Sequence, residues 1–430
     1  RYHPARSRGF HRLRARIVVR CHATATMEVM TSEQPNIEEF RAEVQQWLAS
    51  VTTRREQGSS AWGVGSDTVA LFDNLSEADE REQLEAGRAW EMKRFDAGYN
   101  IVSWPVEYGG RNAPNDFALV ADAEEAQFNV PRRTELFDVT RHLIPVTVEK
   151  WGTEEQKAMW VRSFLRCDEF CCQLFSEPGA GSDLANVSTK ATRDGDMWVL
   201  SGQKVWTSSA VFADWGLAIC RSDSSGAKHA GMTAFMVKLD TPGITVRPIR
   251  QMTGGASFNE VFLDDVRVSD DMRLGPVGEG WKVALTTLSA ERSSANSLGS
   301  DALPKVLALV KHLGVGNDPI VRQKVAAYYT HMTVHNLNEL RVAASVEAGG
   351  EIGPEGSIGR LSCTLNLTRT SKVVSALLGT KLIADTGEWG TYAWAEQVLG
   401  APGYRIAGGS EEIQHNIIGE RVLGLPREPR

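Results

Sequence analysis

Two short segments carry side chains that together suit a planar, hydrogen-bonding ligand. The first, Glu177-Pro178-Gly179-Ala180-Gly181-Ser182-Asp183, follows an apolar stretch and is built largely from small residues. Such a loop lets backbone N–H groups approach an anionic or polar ligand closely, although an ordinary tight turn has the same composition. The second, Gly202-Gln203-Lys204-Val205-Trp206-Thr207-Ser208, ends on an indole followed by two hydroxyls. A stacking face beside hydrogen-bonding groups at a strand end is what a planar heteroaromatic cofactor needs. Nine histidines are spread along the chain, only His331 and His335 standing four apart, and Cys167, Cys171 and Cys172 have a spacing that suits neither zinc ligation nor a secreted disulfide framework. No metal site is expected.

The elements that must position these segments follow from periodicity. From Asn36 to about Arg166 the spacing is helical: Ile37, Phe40, Val44 and Trp47 recur at three- and four-residue steps, and Ser76 to Glu82 opens another helix with a capping signal. Trp104 to Gly110 breaks the pattern and predicts a turn-rich loop. From Cys171 to about Arg273 the period changes to two, with apolar runs at Trp198–Leu200, Trp215–Ile219, Thr233–Val237 and Val261–Phe262–Leu263 between Gly, Asp and Ser clusters. Short strands with turn signals between them predict a β-domain of sandwich or barrel type. Helical spacing returns from Gly278 and ends in Ile413–Ile418.

Composition bounds the rest. At 430 residues the chain is longer than one packed core usually holds, and 42% hydrophobic with 23% charged residues excludes a disordered or fibrous protein. The net charge is −7, but residues 1–26 hold seven Arg and no Lys, Asp or Glu, so the remainder carries −14. An acidic body argues against nucleic acid as a partner, and no run of about 18 apolar residues predicts a membrane span. The basic opening reads as translated upstream sequence, with a targeting presequence the alternative. Sparse cysteine points to a reducing compartment and 34 Arg against 13 Lys to a GC-rich bacterial gene, so a bacterial cytoplasm is expected, with the mitochondrial matrix the alternative.

Five motifs in one order give the chain a family likeness. Leu174 to Asp183, Trp206-Thr207-Ser208, Phe258 to Val268, Gly278-Glu279-Gly280-Trp281 and Gly408 to Gln414 resemble the acyl-CoA dehydrogenase flavoenzymes, and the resemblance runs from Ile37 to Arg427. It implies an α+β fold with an N-terminal α-helical domain, a middle β-sandwich or barrel domain and a C-terminal four-helix bundle domain. On this sequence these are expected at 36–168, 169–274 and 275–430, after a basic extension at 1–35. It also implies FAD, held by the β-domain and the C-terminal helices. By position, Gln173, Phe175 and Ser176 line the flavin ring, Gly181, Ser182 and Thr207 belong to the cofactor site, Ser182 also meets substrate, and Trp206 with Ser208 flanks the ring's N5 side. Core packing is the alternative for Phe175 and Trp206. Ser410 and Glu412 fall on the cofactor side, and Ser289, Arg292 and Gly408 on the substrate side.

The implied reaction is α,β-dehydrogenation of an acyl-CoA to a trans-2-enoyl-CoA, as in fatty acid β-oxidation, with electrons passed to a flavoprotein acceptor resembling electron-transfer flavoprotein. It needs a poorly solvated carboxylate to take the α-proton. Many family members carry this Glu where Gly408 stands here. A second arrangement, resembling isovaleryl-CoA and long-chain enzymes, places it on the helix after the Gly-x-Gly-Trp segment, which is Glu291. The bland alternative for Glu291 is a solvated pair with Arg292, and Glu411 and Glu412 are the remaining candidates. Gly408 keeps the backbone N–H that donates to the thioester oxygen in the family.

Two departures bear on assembly. The family's cross-subunit pyrophosphate clamp should fall between Lys311 and Lys324, where its Arg-x-x-Phe-Gly pattern is missing, and Ala376 replaces a cofactor-turn Gln. Gln397 to Tyr404 looks like that turn but lies too close to Gly408. A homodimer or homotetramer is expected, with other groups such as Arg322 serving the pyrophosphate; the alternative is a heteromer with a second dehydrogenase-like chain. An acyl-CoA oxidase and a structural subunit of a heteromeric dehydrogenase are the competing functions.

Overall fold

The computed structural model describes residues 36–55, 69, 71, 72, 74–294, 302–347, 353–384, 387, 388, 390 and 392–427, with the side chains of 292–294, 346 and 347 outside that set. The basic extension at 1–35 lies outside the described residues. Helices α1 (Ile37–Val51), α2 (Glu77–Asp96), α3 (Asn115–Glu125), α4 (Glu135–Asp138), α5 (Ile144–Trp151) and α6 (Glu154–Arg166) come first. Strands β1 (Cys171–Leu174), β2 (Lys190–Asp194), β3 (Met197–Ser208), β4 (Trp215–Arg221), β5 (Met232–Lys238), β6 (Ile244–Ile249), β7 (Phe258–Ser269) and β8 (Arg273–Leu274) follow. Then come α7 (Gly280–Ser294), α8 (Ala302–His312), α9 (Pro319–Glu347), α10 (Gly356–Leu378), α11 (Ala393–Tyr404) and α12 (Glu411–Ile417).

Two compact units divide these elements. One contains residues 74–121 and 129–291, that is most of the N-terminal helices, the sheet and nearly all of α7. The eight strands form one sheet in the order β6-β7-β3-β2-β4-β5-β8, with β1 parallel to β4. Alternation along β4 and β5 serves two cores. Leu217, Ile219, Ala234 and Met236 join Trp160, Val161 and Phe164 of α6, whereas Ala218, Cys220, Phe235 and Val237 join Leu200 of β3 and Val261, Leu263 and Val266 of β7. The second core is therefore closed by strands of the same sheet, which gives the β-domain its two-layered packing. At the helix starts the local chemistry is as the sequence indicates. Ser76 accepts from the N–H of Asp79, and Asn36 forms a capping box with Glu39.

The other unit contains the described residues up to 72, residues 122–128 and the described residues from 292 on. Its core is built from Val306 and Leu309 on α8, Tyr328 and Met332 on α9, Val373, Val374 and Leu378 on α10, and Trp394 on α11. The Tyr328 hydroxyl pairs with Thr370 at 2.8 Å, so the one hydroxyl in that apolar layer is satisfied. Five described cysteines, Cys167, Cys171, Cys172, Cys220 and Cys363, are all buried free thiols.

Candidate functional site

The flavin-side segments of the sequence are physically tied to each other. β1 runs through Phe175 and Ser176 into a tight turn in which Glu177 and Ala180 exchange backbone bonds of 2.9 and 3.0 Å. β3 approaches this strand with a bulge: its pairing with β7 skips between Lys204–Val261 and Thr207–Asn259. Trp206, inside the bulge, takes a left-handed φ of +61°, which costs a residue with a side chain roughly 1–3 kcal/mol. That backbone throws the indole outward, 60% exposed and edge-on to the Phe258 ring. Core packing is not what holds Trp206.

The bulge is fixed by bonds to the β1 segment. Val205 donates its N–H to the Ser176 carbonyl at 2.9 Å. Lys204, fully buried, directs its ammonium to Glu177 Oε1 at 2.7 Å and to the carbonyls of Phe175 and Ile219 at 3.1 and 2.6 Å. Glu177 accepts in addition from Ser188 N–H and Oγ and from Thr189 N–H. Burial would raise this carboxyl, but the Lys204 charge and these hydrogen bonds outweigh it and hold Glu177 down at about 2.

Around this anchor the predicted ring-lining residues differ in exposure. Phe175 is 6% exposed, its ring inside the first core. Ser176 is half-buried, and Gly181 and Ser182 are exposed. Around Gly181 a Cβ would meet nothing within 4 Å, so the backbone there is open to approach. Gln173 sits opposite Leu217, and Thr207 opposite Asn259. Gln173 Nε2 and Thr207 Oγ1 are buried without a hydrogen-bond partner. Orphaned buried polar atoms cost about 1–3 kcal/mol each unless a ligand meets them. Ser208 donates to Glu135 Oε2 at 3.2 Å.

Helix α7 starts where backbone packs on backbone. A Cβ on Gly280 would lie 2.7 Å from the N of Thr233, and Gly278 donates to Thr233 Oγ1. Val283, Ala284 and Thr287 form its buried face, with Thr287 Oγ1 3.0 Å from Thr147 Oγ1. Glu291 stands one turn beyond Thr287 and is half-buried, while Ser289 is exposed. The Arg292 side chain lies outside the described residues.

In the other unit, Gly408 and Gly409 both have positive φ, +66° and +91°. Arg360, 7% exposed, donates to the Ala407 carbonyl, and Gln414 Nε2 donates to the carbonyls of Gly408 and Gly409 at 3.2 Å each. Ser410 caps α12 by accepting from Ile413. Glu412 is exposed, its carboxyl held below the usual range by its own backbone N–H and by Ser410. Glu411 is bound in two bonds of 2.7 and 2.6 Å by Arg405, which commits it elsewhere than to proton abstraction. In the expected clamp region, Asp318 caps α9 and Arg322 turns back toward the Gly316 carbonyl at 3.5 Å. Ala376 lines a recess of about 210 Å³ with Asp318, Val321, Lys324 and Val373. Gln397 is buried inside α11, bonded to the Leu367 carbonyl and to Ser371.

Comparison with known proteins decides what this arrangement belongs to. Three family models match in succession: acyl-CoA dehydrogenase N-terminal domain at residues 70–168, middle domain at 172–266 and C-terminal domain at 278–423. The chain belongs to the acyl-CoA dehydrogenase family. It is an oxidoreductase of lipid metabolism that uses FAD. Acyl-CoA dehydrogenase IpdE1 of Mycolicibacterium smegmatis is 35% identical over 91% of this chain and 98% of its own length. Acyl-CoA dehydrogenase FadE34 of Mycobacterium tuberculosis is 37% identical over 77% of this chain and 45% of its own. Among solved structures, the Tcur3481-Tcur3483 steroid ACAD superposes with a TM-score of 0.72 at 26% identity, over 91% of this dehydrogenase and 98% of that chain. The ChsE4-ChsE5 complex from Mycobacterium tuberculosis gives 0.69 at 25% identity, over 93% and 100%.

The residues present fit the cofactor. The exposed Trp206 indole offers a stacking face, and Gln173 Nε2 and Thr207 Oγ1 are a donor and a hydroxyl awaiting partners. Sequence reasoning missed Lys204, Glu177 and Arg360. A lysine inside a strand that is otherwise buried on one side was the available signal for the first two. Nothing in the sequence marks Arg360, which is defined by what α10 faces.

Proposed function

We propose that this dehydrogenase removes the α-proton of an acyl-CoA thioester with Glu291 and yields a trans-2-enoyl-CoA. What carries the reading is Gly408: the position that holds the base in many relatives has no side chain here, and a Cβ there would come within 2.9 Å of the Arg360 guanidinium. Glu291 is half-buried one turn beyond the packed face of α7, and a carboxylate so placed is the kind of base the reaction needs. Bound FAD supplies the two-electron acceptor for the hydride leaving the β-carbon. Trp206, Thr207, Ser208, Gln173 and Ser176 hold and orient its ring, with Phe175 shaping the wall from behind. Ser410 and Glu412 are assigned to the cofactor as well. Ser182, Ser289 and Arg292 serve the thioester, and the Gly408 N–H donates to its oxygen as enolate charge develops.

The acyl group we assign is a bulky polycyclic one, on the likeness to a protein described as a steroid ACAD, and the acceptor a flavoprotein. A heteromeric assembly is favoured by the likeness to the ChsE4-ChsE5 complex and by the missing clamp pattern near Lys311–Lys324. Anaerobic flavin bleaching by a panel of straight-chain, branched and steroid-linked acyl-CoA esters tests the substrate. Fastest bleaching by short straight-chain esters would reject the assignment. Reoxidation of the bleached enzyme by air as fast as by an artificial acceptor would favour an oxidase. Glu291→Gln should keep FAD and lose about 10²–10⁴-fold in the rate of flavin reduction. A variant retaining a tenth of the rate would remove Glu291 as base.

A further inference from the structure

The Ala407–Gly408 peptide is held in an unusual way. Its carbonyl accepts from Arg360, a guanidinium that is 7% exposed and whose Nε has no hydrogen-bond partner. The carbonyl of Gly408 accepts from Gln414 at 3.2 Å. Both carbonyls flanking the Gly408 N–H are thus pulled to the protein side, and among the described residues no group accepts that N–H. In a trans peptide the N–H points opposite to the C=O, so a cation fixed on the Ala407 oxygen both aims the Gly408 N–H away from the helices and polarises it as a donor. The φ of +66° at Gly408 is the backbone consequence, and a Cβ there would press on Arg360 at Nη2, Cζ and Nε, at 2.9, 3.1 and 3.3 Å.

We propose that Arg360 is a positioning residue for the oxyanion donor: it holds and polarises the Ala407–Gly408 peptide so that the Gly408 N–H meets the thioester oxygen, and its guanidinium occupies the space a side chain at 408 would need. This rests on the reading of Gly408 given above. A positive charge one peptide away from the developing enolate stabilises it without touching substrate, and the absence of a Cβ at 408 and the presence of Arg360 are two halves of one arrangement.

The test uses the FAD-loaded enzyme and acetoacetyl-CoA, a thioester whose α-carbon ionises to an enolate visible in the near ultraviolet. The pH at which the bound ligand ionises is measured for wild type, Arg360→Met, Arg360→Lys and Gly408→Ala. Wild type should bind the enolate well below the pH at which the free ligand ionises. Arg360→Met should raise the bound midpoint by about one to two pH units, a ten- to hundredfold weaker preference for the enolate, with flavin content unchanged, and Arg360→Lys should recover part of it. Gly408→Ala, which displaces the guanidinium while leaving it present, should move the midpoint the same way. It keeps the proposal falsifiable if Arg360→Met does not fold. An unchanged midpoint in folded Arg360→Met, or in Gly408→Ala, overturns the role of Arg360 alone. A wild type that does not favour the enolate at all overturns the Gly408 reading and this proposal with it.

Discussion

At the scale of single residues, the buried pair of Lys204 and Glu177 does more than neutralise charge, because its bonds end on the Phe175 carbonyl and on the turn that precedes Ser182. Replacing Lys204 by Met leaves Glu177 buried without its partner. We expect about 3–5 kcal/mol lost in chemical denaturation, with flavin released before global unfolding. The Glu177 carboxyl is depressed from 4.5 to about 2, so its stabilisation is fully present above pH 4.5 and disappears as pH falls toward 2. Glu91 titrates in the same window: burial opposes its charge, but Arg141, Arg94 and Arg133 bring it to about 2. Glu177→Gln should therefore flatten, not abolish, the acid loss of stability between pH 4.5 and 2, as followed by tryptophan fluorescence; an unaltered acid transition would show that the pair contributes nothing there. Trp206→Ala should change the flavin absorption envelope or empty the site, and an unchanged spectrum at full occupancy would leave the indole without a role. The Trp206 segment stands out in the sequence from residue types alone, and the indole is exposed. The segment's strain, and the lysine beneath it, were not legible there, because both depend on a bulge that only pairing with β7 reveals.

Elements tell a similar story with a different limit. The helical start at Ser76, the break at Trp104–Gly110 and the strands at Trp215 and Thr233 follow from period and turn chemistry. The edge strand β6 alternates weakly, with Arg247 and Pro248 interrupting it, and β8 is only two residues long, so neither leaves a period to read. What positions α7 is invisible to periodicity as well: a glycine against the backbone of β5. Gly280→Ala must push the helix start away from Thr233. We expect overpacking of about 1–3 kcal/mol in thermal melts and a matching fall in flavin reduction, since α7 carries Glu291. A variant melting with wild type would mean that the helix start yields freely.

For the whole molecule, the exposed apolar residues Ile320, Val334 and Leu337 of α9 belong to the same unit as the exposed Ile406 and Leu423. Expressed alone, the chain should be apo, aggregated or half-loaded with flavin if it needs a dehydrogenase-like partner. A stable dimer or tetramer with one FAD per chain, seen by light scattering and absorbance, would establish self-assembly instead. The free thiols add a consequence of a different kind. Burial pushes Cys167 and Cys172 up to about 12 and Cys220 to about 11, and Cys171 well above its ordinary value. At pH 8 an alkylating reagent can therefore mark these sulfurs only when the surrounding structure opens. Four of the sites report on the β-containing unit and Cys363 on the other. Site-resolved alkylation by mass spectrometry would time the opening of each unit in one sample, with no added label and no substitution.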